Sequence, residues 1–509
     1  MMWDRIREWI DNPILVKHIR SRLRPQSVLS MLIVVVLINL CLAYGGYELE
    51  WYMSGTVAGW IVAMQVVLLA VLGSAQVGAS VNGARASGIL DFHRVSPLTA
   101  TELTLGFFFG APIREYALFA ATIPFTVLCM AFGVPSFRGF LQLMIVVLTT
   151  SWLVQGLMLL NGLISRAKNP SGGLVGVVVF LVLFLGLIFT GAQFSVNFVE
   201  NDHRLNFFGI SLPWLAVILL NQLPVLFFML LAATRKMESQ RLHPLSKPQA
   251  IVAMLTFATL VLGGIWQQEG HEIYEIVALY LLLVPAILLT MMITPSQAEY
   301  AKGLHRAQKQ GNTRLPWWDD LSVNWLSLVI LAAVVLVAGT IAGTAAAGPS
   351  GTYVVGQPRG PYPLALAAAV LTVAYFGLAL QYFQLRFRGR SIIFLGLFLF
   401  VFWGLPLIAG SIQSMTMGPW RSGQSAYPIV ALSPIAGIGM IAAVGDETIA
   451  YPVQASTLTP ILLFTFVFNY LLIDARRRVM KSVFGAAAKK EAEQLDLEAI
   501  GPVAEAVQP

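Results

Sequence analysis

Charged side chains are scarce in this chain of 509 residues, and that scarcity indicates which solvent surrounds it. Only 11% of the residues are charged and 57% are hydrophobic, whereas soluble domains carry about 25% charged residues. The mean hydropathy of +0.75 agrees with this imbalance. So few charged groups cannot cover the surface of a soluble fold of this size, and we expect most of the chain to lie in lipid.

Redox and catalytic motifs are also missing. The two cysteines, Cys41 and Cys129, lie within apolar runs and no C-x-x-C pair is present, so neither a disulfide framework nor a cysteine metal site is expected. The sequence contains no G-x-x-x-x-G-K-[ST], H-E-x-x-H or G-x-S-x-G motif, which argues against a nucleotide-binding P-loop, a zinc protease and a serine hydrolase. We therefore expect no cofactor on this chain and no enzymatic activity of its own.

The net charge of +7 does not indicate a nucleic-acid partner, because the basic residues lie in short loops between apolar runs, as in membrane proteins. If the amino terminus is cytoplasmic, all but four of the 32 lysines and arginines fall on inner segments. The four on outer segments are Arg138, Arg204, Arg359 and Arg421. This asymmetry predicts that both termini are cytoplasmic.

Twelve apolar runs are long enough to cross a bilayer, which takes roughly 20 residues. They are 28–46, 56–79, 109–133, 139–164, 173–194, 209–233, 250–267, 274–294, 325–347, 363–385, 391–412 and 455–474. Backbone groups in lipid must find partners within the segment, and the runs do not alternate in polarity as barrel strands do. The predicted fold class is therefore all-α, a polytopic integral membrane protein with about twelve transmembrane helices.

A further apolar run, 427–444, contains Pro428 and Pro434 and is interpreted as a broken helix on the outer face. The spans themselves are nearly free of ionisable groups, and Glu115 lies at a span end, where we expect it to pair with Arg114 and to reach water. The uncharged polar side chains within the spans are expected to hydrogen-bond between helices. They are Asn39, Gln65, Gln155, Asn161, Asn221, Gln222, Gln381 and Asn469.

The spans form two sets of six, which predicts two parallel halves related by an axis along the membrane normal. The predicted segments are 1–26, a cytoplasmic interfacial amphipathic stretch; 27–237, the first half with inner loop 80–108; 238–480, the second half with inner loop 295–324 and outer helix 427–444; and 481–509, a cytoplasmic tail. Each inner loop contains a glycine followed by a His-Arg pair: Gly88 with His93-Arg94, and Gly303 with His305-Arg306.

The first inner loop carries a resemblance to a known family. It reads ARASGILD from Ala84, then RVSPLT from Arg94, then Glu102-Leu103 and Gly106. This resembles the loop of membrane permeases of ATP-binding cassette exporters of the ABC-2 type, which is typically Gly-Thr-Leu, a short apolar run, Pro-Leu-Ser, an acidic residue and Gly-Lys. The sequence departs from that pattern at Ile89, Thr99 and Phe107, where Thr, Ser and Lys are usual.

The resemblance implies a coupling helix that docks on a separate nucleotide-binding subunit, which would bind the ATP and Mg²⁺. The residues implied at or near that contact are Gly88, Leu90, Asp91, Arg94, Pro97, Leu98 and Glu102, flanked by Arg85 and Gly106. In the second half, only Gly303, His305 and Arg306 correspond. The implied setting is a bacterial inner membrane, with further membrane or periplasmic subunits as possible partners.

Other interpretations stay open from the residues alone. The first loop is alternatively a solvated basic connector that only fixes topology. The whole chain is alternatively a secondary carrier with twelve spans, although buried ionisable groups are scarce for such a protein. A third hypothesis is a membrane scaffold that assembles other proteins without transporting anything.

Overall fold

The computed structural model describes residues 12–48, 56–131, 136–164, 204–240, 242–265, 272–312, 314–323, 326–346, 362–387, 390–416, 426–443 and 447–504. Across these residues the chain is almost entirely helical. It divides into two compact units, Met1–Leu245 and Ser246–Pro509.

The elements of unit 1 are α1 (Pro13–Arg22), α2 (Pro25–Glu48), α3 (Thr56–Ala86), α4 (Ile89–Val95), α5 (Ala100–Gly110), α6 (Ile113–Ala131), α7 (Phe137–Ile164), β1 (Arg204–Phe207), β2 (Ile210–Pro213) and α8 (Trp214–Glu238). Those of unit 2 are α9 (Lys247–Ile265), α10 (Glu272–Ile293), α11 (Gln297–Lys309), α12 (Leu326–Ala346), α13 (Tyr362–Arg386), α14 (Ser391–Leu399), α15 (Leu405–Thr416), α16 (Ala426–Ala431), α17 (Pro434–Ala443) and α18 (Glu447–Ala504).

Within the described part of the chain, nine helices are long and apolar enough to cross a membrane. The prediction of an α-helical integral membrane protein is therefore confirmed. The predicted span 173–194 lies outside the described residues. The apolar run 427–444 is broken as expected, because α16 ends at Ala431 and α17 begins at Pro434, where the fixed φ of proline suits the first helical position.

Two predicted span starts were wrong, and a third span is part of a longer helix. The span 109–133 begins only at Ile113, after α5 has ended at Gly110 and the chain has turned. The run 209–233 begins in a strand rather than a helix, because α8 starts at Trp214. The run 455–474 is the apolar part of the much longer α18, a helix of 58 residues.

A small β-hairpin is the exception to the all-α prediction among the described residues. Strands β1 and β2 pair antiparallel, with Phe207 opposite Ile210. Phe208 and Gly209 both have positive φ, 51° and 76°, which is the backbone of a type I′ turn. The hairpin packs on the start of α8, where Leu205 contacts the cluster around the buried Trp214.

Polar side chains tie the spans of unit 1 together. The amide of Gln65 donates to the hydroxyls of Thr122 and Thr126 at 2.9 and 3.0 Å, and joins α3 to α6. Gln222 donates to Thr150 at 3.0 Å and joins α8 to α7. The predicted interhelical bonding is confirmed for these residues, but Asn221 instead donates to the carbonyl of Val217 in its own helix.

The middle of α3 is π-helical over Val67–Gly73. Such a segment leaves carbonyls without their usual helical partner. The amide of Gln155 on α7 donates to one of them, Leu69, at 3.1 Å, and accepts from the hydroxyl of Tyr116 at 2.8 Å. A side chain from the neighbouring helix therefore supplies the missing hydrogen bond.

Glu115 differs from its prediction in one respect. It pairs with Arg114 at 2.7 Å, as expected for a helix-end pair. However, Glu115 is fully buried, so the expectation that water reaches it was wrong.

Helix α1 packs closely on α5. The side chain of Asn12 caps α1 by accepting from the amide of Ile14 at 3.0 Å, and it donates to the carbonyl of Glu102 at 2.7 Å. A Cβ added at Gly106 would lie 2.7 Å from Cβ of Ile14, so only glycine allows this approach. The buried face of α1 is Ile14 and His18, while Leu15 and Ile19 remain half-exposed.

We expect Gly106→Ala to destabilise unit 1 by about 1–3 kcal/mol, because the added methyl group forces α1 away from α5. The control is Gly83→Ala in α3, where an added Cβ has nothing within 4 Å and alanine is the better helix former. Thermal unfolding in detergent, followed by circular dichroism, measures both. An unchanged melting temperature for Gly106→Ala would contradict the close packing.

We expect α1 to detach from α5 as the solution is acidified. Burial, together with the charges of Arg22 and Lys17, lowers the pKa of His18 to about 4, so the docked helix holds a neutral imidazole. The detached helix takes up a proton near pH 6.5, so docking stability is fully present above that pH and falls, by on the order of 3 kcal/mol, down to pH 4.

Hydrogen exchange of the α1 amides, corrected for intrinsic rate and compared at pH 7 and pH 4.5, checks this expectation. His18→Gln, which stays neutral, should exchange with little dependence on pH. Equal acid sensitivity of the variant and the natural chain would assign the effect to another group.

Candidate functional site

The first inner loop leaves α3 through a glycine-dependent turn. Helix α3 ends at Ala86, and the amide of Gly88 donates to the carbonyl of Arg85 at 3.2 Å. Gly88 has a φ of +72° and precedes the first residue of α4. Only glycine adopts this left-handed backbone without strain, so Gly88 sets the angle between α3 and α4.

Helix α4 is short and is anchored to unit 1 through one face. Leu90 is completely buried and belongs to the same apolar cluster as Val81, Leu103 and Met237. These contacts come from α3, α5 and α8, so a helix of only seven residues gains a fixed position that it would not hold alone.

Arg94 fastens the other end of α4 to the carboxyl end of α8. Its guanidinium donates to the carbonyl of Met237 at 2.8 Å and to that of Lys236 at 2.9 Å. The last carbonyls of a helix have no partner within the helix and carry a partial negative charge. A third bond, at 2.5 Å, reaches the carboxylate of Asp91, whose side chain is 67% exposed.

The opposite face of α4 is apolar and exposed. Ile89, Phe92 and Val95 are spaced by three residues and are 39%, 69% and 83% exposed. Residues three apart lie on the same side of a helix. The sequence analysis did not select these three side chains, although their spacing was a signal that would have found them.

The remaining predicted loop residues mostly support the backbone. Arg85 donates to the carbonyls of Gly162 and Leu163 at the end of α7, each at 3.2 Å. Glu102 forms a capping box with Thr99 at the start of α5, which satisfies two free backbone amides. Leu98 packs partly against the apolar cluster, while Pro97 is exposed.

The structure therefore separates the predicted contact set into two groups. Seven residues serve contacts or backbone geometry within unit 1, namely Arg85, Gly88, Leu90, Arg94, Leu98, Glu102 and Gly106. Asp91 and Pro97 reach solvent beside the exposed apolar face of α4. The surface that a partner would meet is therefore Ile89, Phe92 and Val95 with these two neighbours, and not the anchoring residues.

In the second inner loop, α11 starts with a capping box of Ser296 and Glu299. Gly303 lies in the middle of the helix, where an added Cβ would lie 2.8 Å from Leu315 and 3.0 Å from Leu321. It therefore serves close packing, whereas Gly88 serves a turn. The two glycines of the proposed repeat are not structurally equivalent.

The segment that follows α11 is organised around Lys247. Its ammonium donates to the carbonyls of Asp319 and Ser322, at 2.6 and 2.8 Å, and its backbone amide donates to the carboxylate of Asp320 at 3.1 Å. The sequence analysis did not select this lysine. Its position at the first turn of a span gave no sign that the carbonyls of Trp317, Asp319 and Ser322 would converge on it.

Both His305 and Arg306 lie on the exposed side of α11, and Arg306 forms an ion pair with Asp319. Two neighbouring tryptophans, Trp317 and Trp318, are 45% and 61% exposed. The second loop thus also places large apolar side chains on the surface.

No protein-family model, curated protein or solved structure matches this chain. Among the residues described, no group of three or more His, Cys, Asp or Glu side chains is placed to hold a metal ion.

We expect Arg94→Ala to free α4 from α8, because it removes charge-assisted hydrogen bonds that each contribute about 1.5–3 kcal/mol. Hydrogen exchange of amides 89–95 should rise strongly. Asp91→Ala is the control, since it removes only an exposed ion pair worth about 0–1 kcal/mol. Equal exchange in the two variants would show that Arg94 does not anchor the helix.

Proposed function

We propose that this chain is the membrane-spanning permease subunit of an ATP-binding cassette exporter. In this proposal it has about twelve spans in two parallel six-helix halves, which form the translocation path. It lies in a bacterial inner membrane with both termini in the cytoplasm. A separate ATPase subunit binds the ATP and Mg²⁺.

The observation that carries the proposal is the combination of an exposed apolar face and a firm anchor on α4. Exposed apolar side chains that share one face typically mark a surface that another protein covers. The anchor matters equally. If α4 were only loosely attached, a movement of the ATPase would displace α4 alone and would not move the spans. Leu90 and Arg94 link α4 to three helices of unit 1, so a displacement of α4 would be passed to the spans.

The exposed apolar face of α4 is therefore the proposed docking surface for the ATPase, with Asp91 and Pro97 at its rim. This assignment differs from what the family resemblance implied, since Arg94 anchors α4 and Glu102 caps α5, and neither belongs to the proposed docking surface. Trp317 and Trp318 form a second candidate docking surface, on the inner loop of unit 2. Two such surfaces suit a pair of ATPase subunits or domains.

A secondary carrier is the second candidate, and Glu115 favours it. This carboxylate is fully buried at the start of a span, and its Oε2 oxygen has no hydrogen-bond partner in the described structure. Buried ionisable groups of this kind often lie on proton or ion pathways. Transport in vesicles that contain only this chain, driven by an ion gradient without ATP, would establish the carrier.

The test of the permease proposal is purification of the tagged chain from its native membrane in mild detergent, followed by mass spectrometry and an ATPase assay. We expect a P-loop ATPase to co-purify. With the double variant Phe92→Ser and Val95→Ser, the amount of co-purified ATPase should fall at least about tenfold. Each apolar side chain that the ATPase would bury contributes roughly 1.5–3 kcal/mol to binding.

The matched control is Phe137→Ser, which removes a side chain that is 66% exposed at the start of α7. It should retain the ATPase at the natural level. Equal retention by all three proteins would remove α4 from the docking surface. Absence of any ATPase from the natural chain would contradict the permease function itself.

A further inference from the structure

A cavity of about 350 Å³ lies in unit 2, between α11, the segment that follows it and residues 473–480 of α18. Its polar lining includes three arginines, Arg314, Arg476 and Arg477. Two of them directly follow the apolar part of α18, so the cavity lies where that span gives way to a basic stretch.

None of the three guanidinium groups forms a hydrogen bond or an ion pair with another residue in the described part of the chain. Their neighbours behave differently, since Arg306 pairs with Asp319 and Arg478 pairs with Asp474. The positive charge is therefore concentrated on the residues that line the cavity.

Like charges held together repel one another, so this cluster is stabilised when an anion enters it. A guanidinium donates through a planar fork that matches the oxygens of a phosphate group, and several arginines can share one phosphate. The hydroxyl-bearing residues Tyr300 and Ser322 also line the cavity. The polar part of the lining thus has many donors and no carboxylate.

The rest of the lining is apolar and includes Leu304, Leu315, Ile473 and Met480. Ile473 is 42% exposed on the span, and Tyr470 one turn earlier is 69% exposed. An apolar surface therefore continues from the cavity along the helix. This arrangement suits a ligand with a charged head and an apolar remainder, as in a phospholipid.

We propose that this cavity binds a phosphate group, carried either by an anionic phospholipid or by a soluble phosphate compound. The proposal does not depend on the exporter function, because it rests on the arginine-lined cavity of unit 2 and not on the docking surface of α4. Binding there would hold α11 against α18.

The test uses the full chain in detergent and native mass spectrometry. The chain is titrated with dioleoylphosphatidylglycerol, with dioleoylphosphatidylcholine as the neutral comparison, and separately with inorganic pyrophosphate. We expect the double variant Arg476→Gln and Arg477→Gln to bind the anionic probe at least about tenfold more weakly, since two charge-assisted contacts are lost. The control is Arg478→Gln, which belongs to the same triplet but does not line the cavity.

A second control, Arg477→Lys, keeps the positive charge but loses the planar guanidinium. Its affinity for the anionic probe should lie between those of the natural chain and the double variant. Circular dichroism confirms that each variant is folded. Preference for phosphatidylglycerol assigns the phosphate to a lipid, and pyrophosphate binding without lipid binding assigns it to a soluble compound. Failure of both probes, or equal weakening by Arg478→Gln, would overturn the proposal.

Discussion

The fold depends on one constraint, which is that a backbone amide or carbonyl in lipid has no water to bond with. Regular helices satisfy this constraint within the chain, and the departures from regular geometry are repaired by side chains. In the π-helical part of α3, the amide of Gln155 reaches the carbonyl of Leu69. At the carboxyl ends of α7 and α8, the free carbonyls receive arginine side chains, as Arg85 and Arg94 illustrate.

This use of arginine changes how the first inner loop should be understood. A basic residue in such a loop helps to set the orientation of the spans by its charge alone. For that purpose its exact position on an inner segment does not matter. Arg94 also carries out a structural task, because its guanidinium binds the end of α8 and fixes α4. With the charge turned inward, the outward side of α4 is left to Ile89, Phe92 and Val95. The exposed face of α4 is therefore mainly apolar.

In unit 2, a lysine side chain likewise binds free backbone carbonyls. The ammonium of Lys247 donates to the carbonyls of Asp319 and Ser322 and so fixes the segment that follows α11. The carboxylates nearby are then occupied by Lys247 and Arg306. Arg476 and Arg477 are left without acidic partners among the described residues, and the cavity beside them combines positive charge with apolar walls. The uneven pairing of charges, rather than their number, distinguishes this place from the other basic stretches.

The sequence by itself determined the solvent, the helical class and most of the spans, because these follow from hydropathy summed over about 20 residues. It also drew attention to the loop around Gly88 through the glycine and His-Arg repeat and the family resemblance, whereas the left-handed turn at Gly88 was seen only in the structure. The tertiary structure decided which loop residues are buried and which are exposed. Leu90 and Phe92 are both apolar, and only packing against α3, α5 and α8 buries one and exposes the other. Likewise, a sequence pattern does not distinguish Arg94 from Arg477. Only the groups around them make Arg94 an anchor and leave Arg477 without a partner among the described residues.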